Sequence, residues 1–210
     1  MITSVANQKV KQVVAWQTKA KERRKDNVFP VEGLKMFEEA PEKWIREVYI
    51  EESLLEKLDK EGAAYQKLER VGFEVVSSEV FKRMSDTQTP QGILAIVEQP
   101  VYRFEELLKI ENPLFVILED LQDPGNLGTI VRTGEGAGVS AVFMTKNTVD
   151  IYNPKTIRAT MGSIYRVPFA IVEDIEETIA GLHKAGVKTY AAHLAGKDYY
   201  DSKIVYSSNN

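Results

Sequence analysis

From Leu114 onward, apolar runs alternate with segments of helical period, and this alternation constrains the fold more than any other feature of the chain. "LFVILED" is a continuous apolar run of the kind that a parallel sheet buries on both faces, "VSAVFMT" and "KTYAAHL" follow as further strands, and "RVPFAIV" between them reads as a strand or an extended segment. Between them the sequence predicts a helix running to about Gly138, a short helix in "NPKTIRATMGS", and a helix in "DIEETIAGLHKAG" with Asp174 as its N-cap. Strict alternation of this kind predicts an α/β unit with a parallel sheet that takes ligands near the carboxyl ends of its strands.

The first half has a different rhythm. Residues 5–20 place Val5, Val10, Val13, Val14 and Trp16 near helical spacing with lysines between them. Pro30 is expected to break the chain, after which "VEGLKMFEEA" resumes as a helix and residues 47–50 form a short strand. "LLEKLDKEGAAYQKLERVG" reads as one helix, "FEVVSS" as a strand, "SEVFKRMSD" as a short helix and "GILAIVEQP" as an apolar strand. The predicted order is α, α, β, α, β, α, β. Two prolines flank a short amphipathic helix at 101–110 and mark a boundary, giving domains at 1–100 and 112–210.

Composition narrows the chemistry. Without cysteine the chain has no disulfide, thiolate metal site or cysteine nucleophile, and with two histidines a multi-histidine metal centre is not expected. No apolar run has the length needed to cross a bilayer, and the N-terminus lacks a secretory h-region, so a cytoplasmic protein is expected. Net charge is −4, but its distribution is uneven. Seven basic residues against two acidic ones make residues 1–27 +5 and leave −9 for the rest. The basic segment reads equally as a phosphate-contacting arm and as a solvated helix face.

The stretch "DPGNLGTIVRTGEGAGV", residues 123–139, places a glycine-rich turn between a strand and a helix, where unpaired N–H groups offer an anion site. The nucleotide fingerprints nevertheless fail. Gly134, Gly136 and Gly138 give G-x-G-x-G rather than G-x-G-x-x-G, and no G-K-[ST] follows, which excludes a P-loop and argues against a dinucleotide-dependent oxidoreductase. Read as a helix from Asn126, the segment puts Leu127, Val131, Gly134 and Gly138 on one face, so these glycines are expected to pack closely. On the other face Arg132 rises over the bare position Gly128, with open space around it. Arg132 then either pairs with Glu135 at i+3 or stays available for a ligand.

These residues resemble the first motif of the SpoU (TrmH-type) RNA ribose 2′-O-methyltransferases, whose asparagine and arginine match Asn126 and Arg132. "KTIRATMGSIYRVPF", residues 155–169, is similar to the next family block at Arg158, Met161, Gly162, Ser163, Arg166, Val167 and Pro168. "VEGLKMFEEA" and "SDTQTPQGILAIVEQP" look like the small ribosomal-protein-like α/β substrate domain that often precedes the catalytic domain. The resemblance implies a SPOUT-type methyltransferase domain after that substrate domain, and methyl transfer from S-adenosylmethionine to a ribose hydroxyl of ribosomal or transfer RNA. It further implies Arg132 and Asn126 as catalytic residues, Arg158, Arg166 and Ser163 at the RNA, and a homodimer for full-length members. For Arg158 and Arg166 a surface salt bridge stands as the alternative.

The family continues into a glycine-glutamate-glycine loop and a serine-asparagine block that complete a trefoil knot, and these blocks are not found before Asn210. On that comparison the methyltransferase domain is expected to be truncated before the knot closes, with an incomplete cofactor pocket whose remaining wall is His193 and Leu194. The expectation is an RNA methyltransferase by family whose activity in this chain is impaired. A non-enzymatic RNA-binding protein is the alternative.

Overall fold

The computed structural model describes residues 1–192. The first ten α-helices and strands are α1 (Gln8–Thr18), α2 (Ala20–Asp26), β1 (Val28–Glu32), α3 (Leu34–Glu39), β2 (Ile45–Glu51), α4 (Glu52–Leu55), α5 (Ala63–Val71), β3 (Glu74–Val76), α6 (Ser78–Met84) and β4 (Ile93–Glu98), with a 3-10 turn at Glu42–Trp44 before β2. Their strands form a four-stranded mixed sheet in the order β1-β4-β2-β3, with β4 antiparallel to both of its neighbours.

The strand β1 corrects the expectation that Pro30 interrupts the chain: Pro30 sits inside it, opposite Ile96. A proline removes one ladder donor, which an edge strand tolerates, and β1 is an edge of this sheet. The helix predicted across residues 54–72 is also divided. Asp59 Oδ1 accepts from the Glu61 N–H and the Asp59 carbonyl accepts from the Gly62 N–H, both at 3.0 Å, and this local turn competes with helix before α5 begins.

The continuous apolar run of β4 is explained by cores on both faces. Ile93, Ala95 and Val97 join one cluster, while Leu94 and Ile96 join another with Val10, Val13 and Trp16 of α1 and Phe81 of α6. Each fully buried side chain of this size contributes roughly 1.5–3 kcal/mol. Lys67 of α5 is a buried exception: its Nζ donates to the carbonyls of Phe37, Glu38 and Ala40 at 2.8, 2.9 and 2.5 Å. The ammonium thereby satisfies carbonyls at the C-terminal end of α3, and burial pushes its pKa below the ordinary lysine value.

The second sheet follows α7 (Phe104–Leu107) and comprises β5 (Phe115–Leu118), β6 (Ala141–Thr145) and β7 (Phe169–Val172), all parallel in the order β5-β6-β7. Helix α8 (Pro124–Gly136) connects β5 to β6, and α9 (Pro154–Thr160) lies between β6 and β7. The alternation predicted from Leu114 therefore gives the parallel sheet. Burial differs from expectation at β5, which is half-buried along its length, whereas β6 is buried from Ala141 to Met144. Among the described residues β5 pairs with β6 alone, while β6 is flanked on both sides.

Both sheets belong to one compact unit, Met1–Glu173, and share a core. Phe29 and Val31 of β1 and Phe37 of α3 cluster with Leu127, Tyr152 and Phe169, and the Phe29 and Tyr152 rings lie 4.9 Å apart. A second unit begins at Asp174 and contains α10 (Ile175–Lys184). As predicted, Asp174 caps this helix, accepting from the Glu177 N–H at 2.9 Å. Residues 188–192, expected to enter a strand, form none, and the remainder of "KTYAAHL" lies outside the described residues.

Candidate active site

The start of α8 is fixed by its own sequence. Asp123 is the N-cap, its Oδ1 accepting from the Asn126 N–H at 2.7 Å, and Pro124 occupies the first turn. The helix thus begins earlier than the predicted Asn126, whose side chain is left exposed on the first turn.

The glycines of α8 have different roles from those expected. Gly128 is not an open position beneath Arg132: it is buried, and a Cβ there would lie 2.5 Å from both the Ala159 Cβ and the Thr156 carbonyl oxygen. Gly128 is where α8 and α9 touch. Gly134 is buried beside Val139, whereas Gly138 adopts φ +75° with open space around it. Gly138 therefore serves the turn after the helix, not the packing face.

Arg132 lies one turn beyond Gly128, exposed, and among the described residues it has no hydrogen bond or ion pair. The i+3 partner that would occupy it is taken. Glu135 accepts from Ser163 Oγ at 2.5 Å and from Arg166, whose Nε bonds Oε1 and whose Nη2 reaches Oε2 at 3.2 Å. These bonds, chiefly the one from Arg166, hold the Glu135 carboxyl below the ordinary value of 4.5. Arg166 Nη1 also donates to Glu39 Oε2 of α3 at 2.7 Å. Gly162, at φ +95°, leaves the space that the Glu39 carboxylate fills.

Two further arginines join the sheets in the same manner. Arg158 Nη1 of α9 meets Asp86 Oδ2 at 3.1 Å, just past α6. Arg23 of α2 is buried, donating to the Trp16 carbonyl at 2.7 Å and to Asp150 Oδ2 at 2.6 Å. The structure thus presents the salt-bridge alternative for Arg158 and Arg166, and the buried Ser163 donates to the half-buried Glu135. Glu39, Asp86 and Asp150 carry no local sequence signal, since their partners lie 72 to 127 positions away. Only Glu135 was within reach of spacing arguments. His193 and Leu194 lie outside the described residues.

The basic N-terminal segment divides between the two readings left open for it. Arg23 is buried and structural, while the exposed Lys9 pairs with Glu74 Oε1 at 2.5 Å. Lys11 and Lys19 stay exposed and, with Arg83 of α6, line a groove floored by Val10, Val14 and Ala15.

A three-stranded parallel sheet whose first crossover helix carries an exposed arginine, packed with a four-stranded mixed sheet, defines an α/β protein of the kind that takes ligands at strand ends. The comparisons give that class its family. Residues 113–209 match the SpoU rRNA Methylase family and residues 7–95 match the MRM3-like substrate binding domain. The 23S rRNA (guanosine(2553)-2′-O)-methyltransferase RlmP of Bacillus subtilis (strain 168) is 32% identical over 195 residues, covering 92% of this chain and 73% of that protein. The mitochondrial rRNA methyltransferase 3 of Homo sapiens is 39% identical over 135 residues, or 62% of this chain and 32% of the longer human protein. In structure, the AdoMet-bound rRNA methyltransferase from Sinorhizobium meliloti superposes with a TM-score of 0.78 at 32% identity, covering 93% of this chain and 72% of that one. The SpoU methyltransferase AviRb from Streptomyces viridochromogenes shares the fold, with a TM-score of 0.70 at 21% identity over 85% of this chain and 68% of its own. The chain belongs to the SpoU rRNA methylase family.

Proposed function

We propose that this protein is an S-adenosylmethionine-dependent RNA methyltransferase that modifies a ribose 2′-hydroxyl of ribosomal RNA, with Arg132 as the catalytic cation. The assignment of Arg132 rests on its place: of the exposed arginines without a partner among the described residues, Arg24, Arg83, Arg103 and Arg132, it alone lies on α8, the helix that follows the first parallel strand and carries the family's first motif. The family's relatives named as rRNA methyltransferases supply the reaction.

A ribose hydroxyl is a poor nucleophile at neutral pH, so its attack needs alignment and stabilisation of the charge that develops on oxygen. Guanidinium is effectively always protonated, and Arg132 therefore acts by orienting the hydroxyl and its neighbouring phosphate and by stabilising the alkoxide, not as a base. Asn126, exposed on the first turn of α8, lies on the same helix and serves to orient the substrate near that arginine.

The described residues fit one part of the cofactor's needs. Three parallel strands direct their carboxyl ends toward the side on which α8 starts, where sheets of this type take ligands. S-adenosylmethionine supplies an electrophilic methyl group there, and His193 and Leu194 are the residues assigned to its wall.

In this assignment residues 1–100 form the substrate domain and residues 112–210 the methyltransferase domain, and RNA runs along the groove of Lys11, Lys19 and Arg83. Arg158, Arg166 and Ser163 then hold the two sheets together and do not contact phosphate. Among the described residues no helix is long and apolar enough to cross a membrane, and the proposed site of action is the cytoplasm, with a homodimer as the assembled form. The deciding assay is transfer of labelled methyl to unmodified ribosomal RNA, followed by nuclease digestion to locate the label on ribose. Label on a base, or full activity in Arg132→Ala, overturns the proposal.

A further inference from the structure

The neighbourhood of Glu135 assigns a role to a residue that does not touch substrate. Arg132 and Glu135 lie three positions apart on α8, a spacing at which the two side chains are neighbours. Left to itself, the helix offers its arginine an internal carboxylate. Instead, both Glu135 oxygens are taken: Arg166 grips them from beyond α9, and the buried Ser163 hydroxyl adds a bond to Oε2. The grip is itself anchored, because Arg166 Nη1 holds Glu39, the last residue of α3, and α3 is fixed at that end by Lys67. The left-handed Gly162 leaves room for the Glu39 carboxylate, so the arrangement is built into the backbone.

We propose that Arg166 is a positioning residue that keeps Arg132 available, by withholding from it the carboxylate of its own helix. The inference rests on the reading of Arg132 as the catalytic cation. Removing Arg166 frees Glu135 to turn toward Arg132, which opposes an incoming phosphate backbone, while Glu39 keeps Lys35 at 3.7 Å.

The test compares Arg166→Met, Glu135→Gln and the double variant in the full chain, with two readouts. The first is solvent exchange of the Arg132 Nε–H followed by NMR, which reports directly whether that guanidinium is paired. The second is kcat/KM for methyl transfer to RNA. Arg166→Met is expected to slow the exchange and lower kcat/KM by about twofold or more, the size of an i,i+3 ion pair, and Glu135→Gln in that background is expected to restore both. Restoration is the signature that a merely structural role lacks, since the double variant has lost both partners of the same bond. Unchanged Arg132 exchange in Arg166→Met, or a double variant no better than the single, overturns the proposal. If melting shows that Arg166→Met does not fold, Arg166→Lys, which keeps a cation but cannot hold both Glu135 oxygens as the guanidinium does, decides on the same criterion with a smaller step. Full activity in Arg132→Ala removes the catalytic reading of Arg132, while the exchange measurement still decides whether Arg166 controls its pairing.

Discussion

The seam between the two sheets and the exposed face of α8 use the same side chain to opposite ends. At the seam, Arg23, Arg158 and Arg166 each meet a carboxylate from the other part of the unit, at Asp150, Asp86 and Glu39. On α8, Arg132 meets none among the described residues, although a glutamate lies one turn away. What separates the seam arginines from Arg132 is the availability of a carboxylate partner, not residue type or exposure alone. Arg166 is itself 46% exposed at its side chain and still fully engaged.

The contrast is broken most severely at its buried end. Asp150→Ala leaves the Arg23 guanidinium, 4% exposed, without its carboxylate, and is expected to cost about 3 kcal/mol in urea unfolding. A change below about 1 kcal/mol would place Arg23 with ordinary surface pairs. Arg132→Ala probes the opposite end: methyl transfer is expected to fall roughly 100-fold while the melting temperature stays unchanged, the size seen when one charge-stabilising donor is removed. Equal loss of stability would make Arg132 another structural cation.

A smaller effect is expected at the groove beside α1. Lys11→Ala together with Lys19→Ala should reduce the slope of log affinity for single-stranded RNA against log salt by about 1.4, if each contacts one phosphate. Filter binding across a salt series reads this directly, and an unchanged slope assigns both lysines to a solvated helix face. The smallest effect concerns acid. The folded Glu135 carboxyl titrates below 4.5, so its ion pair stabilises the fold above that pH and the contribution disappears as pH falls through the depressed folded value. The stability difference between wild type and Glu135→Gln should therefore be constant near neutrality and shrink below about pH 4.5. A difference that grows on acidification contradicts the sign.

The parts of the fold legible in the sequence were those set by local pattern. Alternation from Leu114 gave the parallel sheet, and Asp174 gave the start of α10, because strand period and capping are short-range properties. Pro30 misled because its tolerance depends on lying at a sheet edge, which only the strand order decides. Gly128 and Gly138 exchanged their expected roles for a similar reason: one face of a helix can be read from spacing, but which neighbour it meets cannot. At the candidate site, Arg132 and Asn126 were found through the resemblance. The fate of Glu135 was not legible, because its partners come from 28 and 31 positions away.

Lys67 has a practical consequence. Amine-directed acylation requires a neutral, accessible nitrogen, and all three Nζ protons of this lysine are occupied by the carbonyls of Phe37, Glu38 and Ala40. Its labelling therefore waits for α3 and α5 to separate, whereas Lys11 and Lys19 react at once. Mass-spectrometric timing of the Lys67 adduct thus clocks the separation of α5 from α3, without any probe having to be introduced.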